Sequence, residues 1–387
     1  MPNATVIGAG VGGLAAAVAL TRRGWTVTVL EKAPALENVG AGLAIAPNGL
    51  RALDVLGLGE RVRAMAALQG TAGIQRPDGG WISRTDAAAA ETRFGLPTIV
   101  VHRAALIRLL AGAVTDSSPQ AAADSAGRAM TGAVLRLGVP VEDVDPATGR
   151  VVTPGGPVEA DLVVAADGLH SAVRRKLFPQ SPGPVYTGVT SWRFVVPRPP
   201  GDLELSETWG DGAVVGVVNL GDDRVYCYAT APAPPGERAD DERAELLRWF
   251  GGWHEPIPSL MSAATEIIRT DIRCLDTPPK AFHRGRVALL GDAAHAMTPN
   301  LGQGACQALE DAVVLAAHTD DLTAYSKERA PRTAAVATAS RRIGRLAGLR
   351  GPAATLRNAG MAVAGKLGPN LVLRQMDPVF SWRPPAR

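Results

Sequence analysis

An α/β architecture is expected for this chain: a parallel-sheet domain, a second domain of antiparallel strands inserted into it, and a run of C-terminal helices. Three observations carry that expectation. Short apolar runs near residues 4–7, 161–166 and 287–290 are each followed by a glycine-bearing turn and then a helical stretch, the alternation that builds parallel sheets. Between about 180 and 285 the pattern changes to longer β-branched and aromatic runs parted by Gly, Asp and Pro, which suits antiparallel strands. Residues 303–348 are rich in Ala, Leu and Arg and read as mainly helical.

The first unit is a βαβ pattern. Residues 4–7 read as a strand, 14–23 as a helix closed by Gly24, and 25–30 as a second strand with Glu31 at its end. Between strand and helix, Gly8-Ala9-Gly10-Val11-Gly12-Gly13 matches the GxGxxG dinucleotide fingerprint. Its first glycine permits a tight turn, the second lets backbone approach a pyrophosphate, and the third lets helix and strand pack closely. Glu31 stands at the distance of a ribose hydroxyl ligand, about twenty residues on. This is a Rossmann-like unit, but the stretch does not distinguish FAD from NAD.

Bulk properties exclude several classes. The 387 residues suffice for a large core in two joined domains. A net charge of +3 with no basic run argues against nucleic acid as a partner. The three cysteines, Cys227, Cys274 and Cys306, have no metal or CxxC spacing, so no metal is expected and a cytoplasmic, reducing setting is. Cys306 reads as a small packing residue. No apolar run of transmembrane length is free of glycine or charge. The apolar stretch 361–373, broken by Lys366, Gly368 and Pro369, reads as a terminal helix or loop packed on the body, with a membrane-surface contact as the second reading.

Along the middle of the chain, 103–114 reads as a helix and 116–128 as a polar, turn-rich and mobile stretch. Strand-like runs follow at 133–137 and 150–153. The continuous apolar run 161–166 suits a parallel strand covered on both faces. In the inserted part, 186–196, 212–220 and 224–229 read as strands, 240–250 as a helix, and Leu260 as part of another short element.

Two further turns combine an acid with a glycine at a strand end. Asp167-Gly168 ends the run at Ala166, where Gly168 allows close approach of a ligand and Ser171 and Arg174 can fix the turn. Gly291-Asp292 ends the run at 287–290. Pro299 to Gly304 then feeds an alanine-rich helix carrying Glu310-Asp311. An acid that can hold a polyol, followed by a helix N-terminus that can face a developing anion, is what a flavin needs and a nicotinamide dehydrogenase does not. His295 reads as a core or capping histidine of the turn.

Together these motifs resemble the group A flavoprotein monooxygenases, the family of para-hydroxybenzoate, salicylate and urate hydroxylases. The resemblance rests on GxGxxG at Gly8, Gly10 and Gly13, on Asp167-Gly168 and on Gly291-Asp292, with minor matches at Gly40-Ala41-Gly42, Pro47-Asn48 and Val101-His102-Arg103. It implies a glutathione-reductase-type FAD-binding domain from residues 1–70, 98–178 and 286–350. Residues 71–97 and 179–285 would form a substrate-binding domain, and 351–387 a C-terminal helix or tail. FAD would be held by Gly8, Gly10, Gly12, Gly13, Glu31, Lys32, Gly42, Arg103, Asp167, Gly168, Gly291, Asp292, Pro299, Gly302 and Gly304. Within that set, Glu31 would bind the adenosine ribose, Arg103 the phosphate or ribityl region and Asp292 the ribityl chain. Asp167 would serve both FAD and NAD(P)H access, and residues 299–304 would line the ring.

The activity implied is hydroxylation of a small aromatic or heteroaromatic substrate with NAD(P)H and O2, through a C4a-hydroperoxide of the flavin. The cofactor carries the hard chemistry, and the protein must exclude water. Arg193, Tyr226 and Tyr228 are substrate-side candidates on the inserted sheet, each with a structural role as the alternative. Strand alternation puts the two tyrosines on one face. Three other readings remain open. A flavin halogenase is disfavoured, because Phe194 stands where Trp-x-Trp-x-Ile-Pro has its second Trp and no lysine lies between Lys32 and Lys176. An FAD dehydrogenase or oxidase, and a non-catalytic FAD-binding protein, are the others.

Overall fold

The computed structural model describes residues 1–36, 41–66, 71–116, 132–201, 203–221, 223–366 and 373–386. Gly40 and most of the turn-rich stretch 116–128 lie outside the described residues.

A six-stranded sheet forms the centre of the first domain. Its order is His283–Arg284, Val287–Leu289, Leu162–Ala165, Asn3–Ile7, Thr26–Glu31, Ala133–Leu137. The last five are parallel, and only His283–Arg284 runs against its neighbour. Leu162–Ala165 is buried at every position, as a strand with helices on both faces must be. Helices Val11–Thr21, Arg103–Asp116 and Gly304–Ala317 pack around this sheet and share one apolar core with it. The first helix begins at Val11 rather than Leu14, because the last two glycines of the fingerprint already belong to its first turn.

The second sheet has seven strands, in the order Ile268–Cys274, Val185–Pro197, Arg224–Pro232, Val214–Leu220, Leu205–Trp209, Thr71–Gln75, Trp81–Asp86. Its two faces are sorted by strand alternation. Trp192, Phe194, Val196, Cys227 and Ala229 point to one side and are buried under helices Glu242–Phe250 and Ile257–Ser262. Arg193, Val195, Tyr226 and Tyr228 point to the other. Asp241 caps the first of those helices by accepting from the backbone N–H groups of Arg243 and Ala244.

The tyrosine-bearing face is the one that meets the first domain. Tyr226, Val218 and Leu220 cluster there with Ala41 and Val100. Gly42 lies in the ribbon Gly42–Ile45/Ile99–His102, and a Cβ on it would fall 2.3 Å from the Tyr226 ring. Further along the same sheet, Trp209 and Val214 pack against Ala347 and Met361, which come from helices Leu322–Ala347 and Gly351–Lys366.

Candidate active site

The sheet order brings the three motifs together. The carboxyl ends of Val287–Leu289, Leu162–Ala165, Asn3–Ile7 and Thr26–Glu31 lie side by side on one sheet edge. That edge therefore presents, in order, Gly291-Asp292, Asp167-Gly168, the glycine fingerprint and Glu31. Ligands of open α/β sheets bind outside the carboxyl ends of the strands.

Within the fingerprint the glycines differ in what they face. Gly8 has φ +103°, and a Cβ there would lie 2.5 Å from the Ala166 carbonyl oxygen. A Cβ on Gly13 would strike the Gly8 carbonyl at 2.0 Å, so this glycine seats the helix on the strand. Gly12 is closed by Leu290 and Ala308, while Gly10 has nothing within 4 Å in that direction. Gly10 is thus the open position, and it precedes a helix with no side-chain cap and no acid in its first turn. Helix Gly304–Ala317 starts in the same way. By contrast Ser171, Asp241 and Asp321 cap their own helices. These two starts, uncapped as is that of Pro47–Val55, leave N–H groups and a positive dipole end for an anionic ligand.

The acids are held in place from behind. Glu31 accepts from Ala9 N–H at 2.7 Å and Ala33 N–H at 2.9 Å, and Lys32 beside it is exposed. Asp167 accepts from Val173 N–H at 3.2 Å through Oδ2, while its Oδ1 is buried with no partner. Gly168 has φ +79° and open space on its Cβ side. Asp292 is open to solvent at the sheet edge yet crowded by protein atoms. That crowding pushes its carboxyl above the usual range, and the charges of His295, Arg103 and Arg174 partly counter it. Arg103 and Asp292, far apart in sequence, therefore act on one another.

Arg174 is buried and ties two of these turns, donating to Leu169 O at 2.7 Å and Ala293 O at 2.9 Å. Ser171 Oγ accepts from Arg174 N–H at 2.8 Å.

Behind Gly291 lies a buried ionic network. Asp311 accepts from Gly291 N–H at 2.9 Å and from Arg329 Nε at 2.6 Å, and bonds His295 Nε2 at 2.5 Å. Despite its complete burial, the His295 and Arg329 charges hold its carboxyl down at about 2. Glu310 takes Asn48 Nδ2 at 2.6 Å, Gln307 Nε2 at 3.0 Å and Arg332 Nη2 at 2.7 Å, with Arg329 on its other oxygen. Asn48 also reaches Gln303 Oε1 at 2.9 Å, fixing the residue between Gly302 and Gly304. Gly302 itself adopts the left-handed conformation, φ +60°, that ends the turn Pro299–Leu301. Cys306 is buried against Gly49, and burial lifts its thiol to about 12.

Of this network only Gly291 is among the cofactor-binding residues expected from the sequence, and Glu310-Asp311 stand there without an assigned role. Its signal was two adjacent acids inside an apolar helix, which need buried cations, and the Arg329/Arg332 pair one helical turn apart.

On the opposing sheet, Arg193 lies directly across from Tyr228, and the Tyr226 and Tyr228 rings are 5.7 Å apart on the same face. Arg193 donates to Thr270 Oγ1 at 3.0 Å, and its Nε is buried with no partner. Tyr228 Oη donates to Glu207, which also accepts from Trp209 Nε1 at 2.8 Å. Burial raises the pKa of both phenols, so each stays protonated. Gly42 is turned toward Tyr226 rather than toward open space.

The geometry defines a dinucleotide site of the flavin kind. It has an open backbone position at Gly10, a carboxylate at Glu31, and an unpartnered carboxylate oxygen at Asp167. A solvent-open acid and a bare helix start complete it at Asp292 and Gly304. The comparisons with known proteins agree. A family model described as "FAD binding domain" matches residues 2–340. The chain is 42% identical over 320 residues to the aurachin C monooxygenase/isomerase of Stigmatella aurantiaca, covering 80% of this chain and 79% of that protein. It is 35% identical over 337 residues to an FAD-dependent urate hydroxylase of Klebsiella pneumoniae, with 84% of each covered. The structure of Klebsiella pneumoniae HpxO complexed with FAD and uric acid superposes with a TM-score of 0.83 at 30% identity, covering 98% of this chain and 97% of that one. The chain belongs to this FAD-binding family, and it is an FAD-dependent monooxygenase.

Proposed function

We propose that the protein hydroxylates a small aromatic or heteroaromatic compound that carries an ionisable oxygen, using NAD(P)H and O2 and working in the cytoplasm. Residues 1–70, 98–178 and 286–350 hold FAD, and 71–97 with 179–285 hold the substrate. Bound FAD would supply the redox chemistry, accepting electrons from NAD(P)H and delivering them to O2 so that one oxygen enters the substrate and the other leaves as water.

The chain's own residues supply binding and orientation. Glu31 accepts from the adenosine ribose, and the N–H groups after Gly10 face the pyrophosphate. Arg103 and Asp292 bracket the ribityl region, and Asp167 uses its free Oδ1. The helix start after Gly302, pinned through Gln303 and Asn48, would offer N–H groups to negative charge on a bound flavin ring.

The observation that carries the substrate class is Arg193. A buried guanidinium nitrogen without a partner, beside two protonated phenols, suits a substrate oxygen that bears or develops negative charge. The experiment is a panel of phenols, salicylates, N-heteroaromatics and polycyclic aromatics, scored for stimulated NAD(P)H oxidation and for product mass. A product heavier by one oxygen is expected. The reading is wrong if no aromatic ligand both stimulates turnover and gains oxygen. Substrate-dependent O2 uptake without oxygenation would point to a dehydrogenase or oxidase.

A further inference from the structure

Helix Gly351–Lys366 carries an apolar face that is exposed among the described residues. Pro352, Ala353, Leu356, Ala359, Gly360 and Val363 are all exposed. At about 100° per residue they fall within an arc of about 120°. Leu356 is 76% exposed and Val363 59%. No charged residue interrupts this arc. An exposed helix face of a soluble protein ordinarily carries charge, and a continuous apolar stripe marks an interaction surface.

The opposite face is anchored firmly. Arg357 is buried, donates to Ala347 O at 2.9 Å and stacks over the Trp209 ring at 5.3 Å. Met361 packs with Trp209 and Val214 on the inserted sheet. The stripe is therefore presented by a fixed helix rather than by a frayed end.

Along this stretch of the chain the charge is one-sided, the nearby acid being Asp211 of the inserted sheet, which accepts from Gly351 N–H at 2.6 Å at the helix start. Between Glu328 and Asp377 the chain has nine Lys and Arg and no Asp or Glu. Arg329 and Arg332 are taken up by Glu310 and Asp311, and Arg357 is buried. Arg342, Arg345, Arg350 and Arg374, on the segments flanking the helix, are exposed.

We propose that this helix docks in the plane of an anionic lipid bilayer, its stripe at the acyl boundary and the flanking arginines among the headgroups. An apolar helix face with basic flanks is what such a surface recognises. A second copy of the chain is the poorer fit. A two-fold interface would bring this patch onto itself, arginines against arginines. Among the described residues no helix is long and apolar enough to cross a membrane, so the attachment is peripheral.

The test is flotation of the full-length, FAD-loaded protein with phosphatidylglycerol–phosphatidylcholine vesicles and with phosphatidylcholine alone. Binding to the anionic vesicles is expected, weakened about tenfold or more by Leu356→Glu with Val363→Glu. Near 1 M salt, where the Debye length is about 3 Å, binding should also weaken. Both positions are exposed, so flavin content and Tm should not move. Three results overturn the proposal: no flotation, equal flotation with neutral vesicles, or a concentration-dependent dimer that the same double substitution abolishes.

Discussion

Arg174 donates to the carbonyl of Ala293 at 2.9 Å, joining two turns that are 119 residues apart in the chain. The same guanidinium holds Leu169 O at 2.7 Å. It is a clamp between the Asp167-Gly168 and Gly291-Asp292 turns, made behind the cofactor site rather than in it. Arg174→Met keeps the length of the side chain and leaves buried carbonyls without donors, at a cost of about 1–3 kcal/mol each. Expected are a lower Tm and purified protein with sub-stoichiometric flavin. Full flavin occupancy with unchanged Tm would show that the two turns hold their places unaided.

Asp292 and stability pull in opposite directions. The protein atoms crowded around this solvent-open carboxyl raise its pKa in the folded protein, so the folded state keeps this proton to higher pH than the unfolded chain. Between the ordinary and the raised value, stability therefore falls as pH rises. Asp292→Asn removes that slope. The FAD-free variant should be no less stable than wild type at neutral pH, while FAD binds about tenfold or more weakly for loss of one charged acceptor. Melting of the FAD-free proteins across pH, with flavin titration, checks both halves.

Asp311 behaves in the reverse sense. Its carboxyl sits at about 2 against an ordinary 3.8, so its contribution is fully present above the ordinary value and is lost as pH falls toward 2. Asp311→Asn strips a buried partner from Arg329 and should cost about 3–5 kcal/mol. Acid-induced unfolding monitored by circular dichroism should lose part of its steepness in that window.

Gly42 and Tyr226 key one domain into the other. A methyl at Gly42 would meet the ring at 2.3 Å, so Gly42→Ala should destabilise by about 1–3 kcal/mol. Tyr226→Leu in the same chain should recover part of that loss, because the clash disappears. Additive losses in the double-mutant cycle would mean that the two do not interact.

Arg193→Gln tests the substrate side. With the FAD-binding residues untouched, flavin content should stay at wild-type level. Turnover efficiency should drop about 10- to 100-fold on loss of a charge-assisted hydrogen bond. Equal loss on anionic and neutral substrates would remove the basis for the assigned role.

Local rules made much of this legible. The GxGxxG turn, the fully apolar strand ending at Ala165 and the acid after Gly291 each follow from short-range chemistry, and the adjacency of their strands follows from the family pattern. The paired faces of the second sheet were readable at Tyr226 and Tyr228 through alternation alone. Other parts were not readable, because their partners are distant. Leu205–Trp209 and Ile268–Cys274 each pair with a strand far along the chain, Thr71–Gln75 and Val185–Pro197. The bonds of Asn48 to Glu310 and Gln303 span more than 250 residues. Glycine is a poor helix former, so the sequence pattern predicts the first helix three residues late, and close packing on the strand overrides that preference here.

The position of Val287–Leu289 beside Leu162–Ala165 bears on how the chain is made. During synthesis, the edge of Leu162–Ala165 has no partner until Val287–Leu289 leaves the ribosome. At roughly 5–20 residues per second that wait lasts about 6–25 s. The inserted sheet can complete itself in the interval, since its last strand ends at Cys274. For those seconds the nascent chain carries an apolar, unpaired strand edge, the kind of surface that draws chaperones or aggregates.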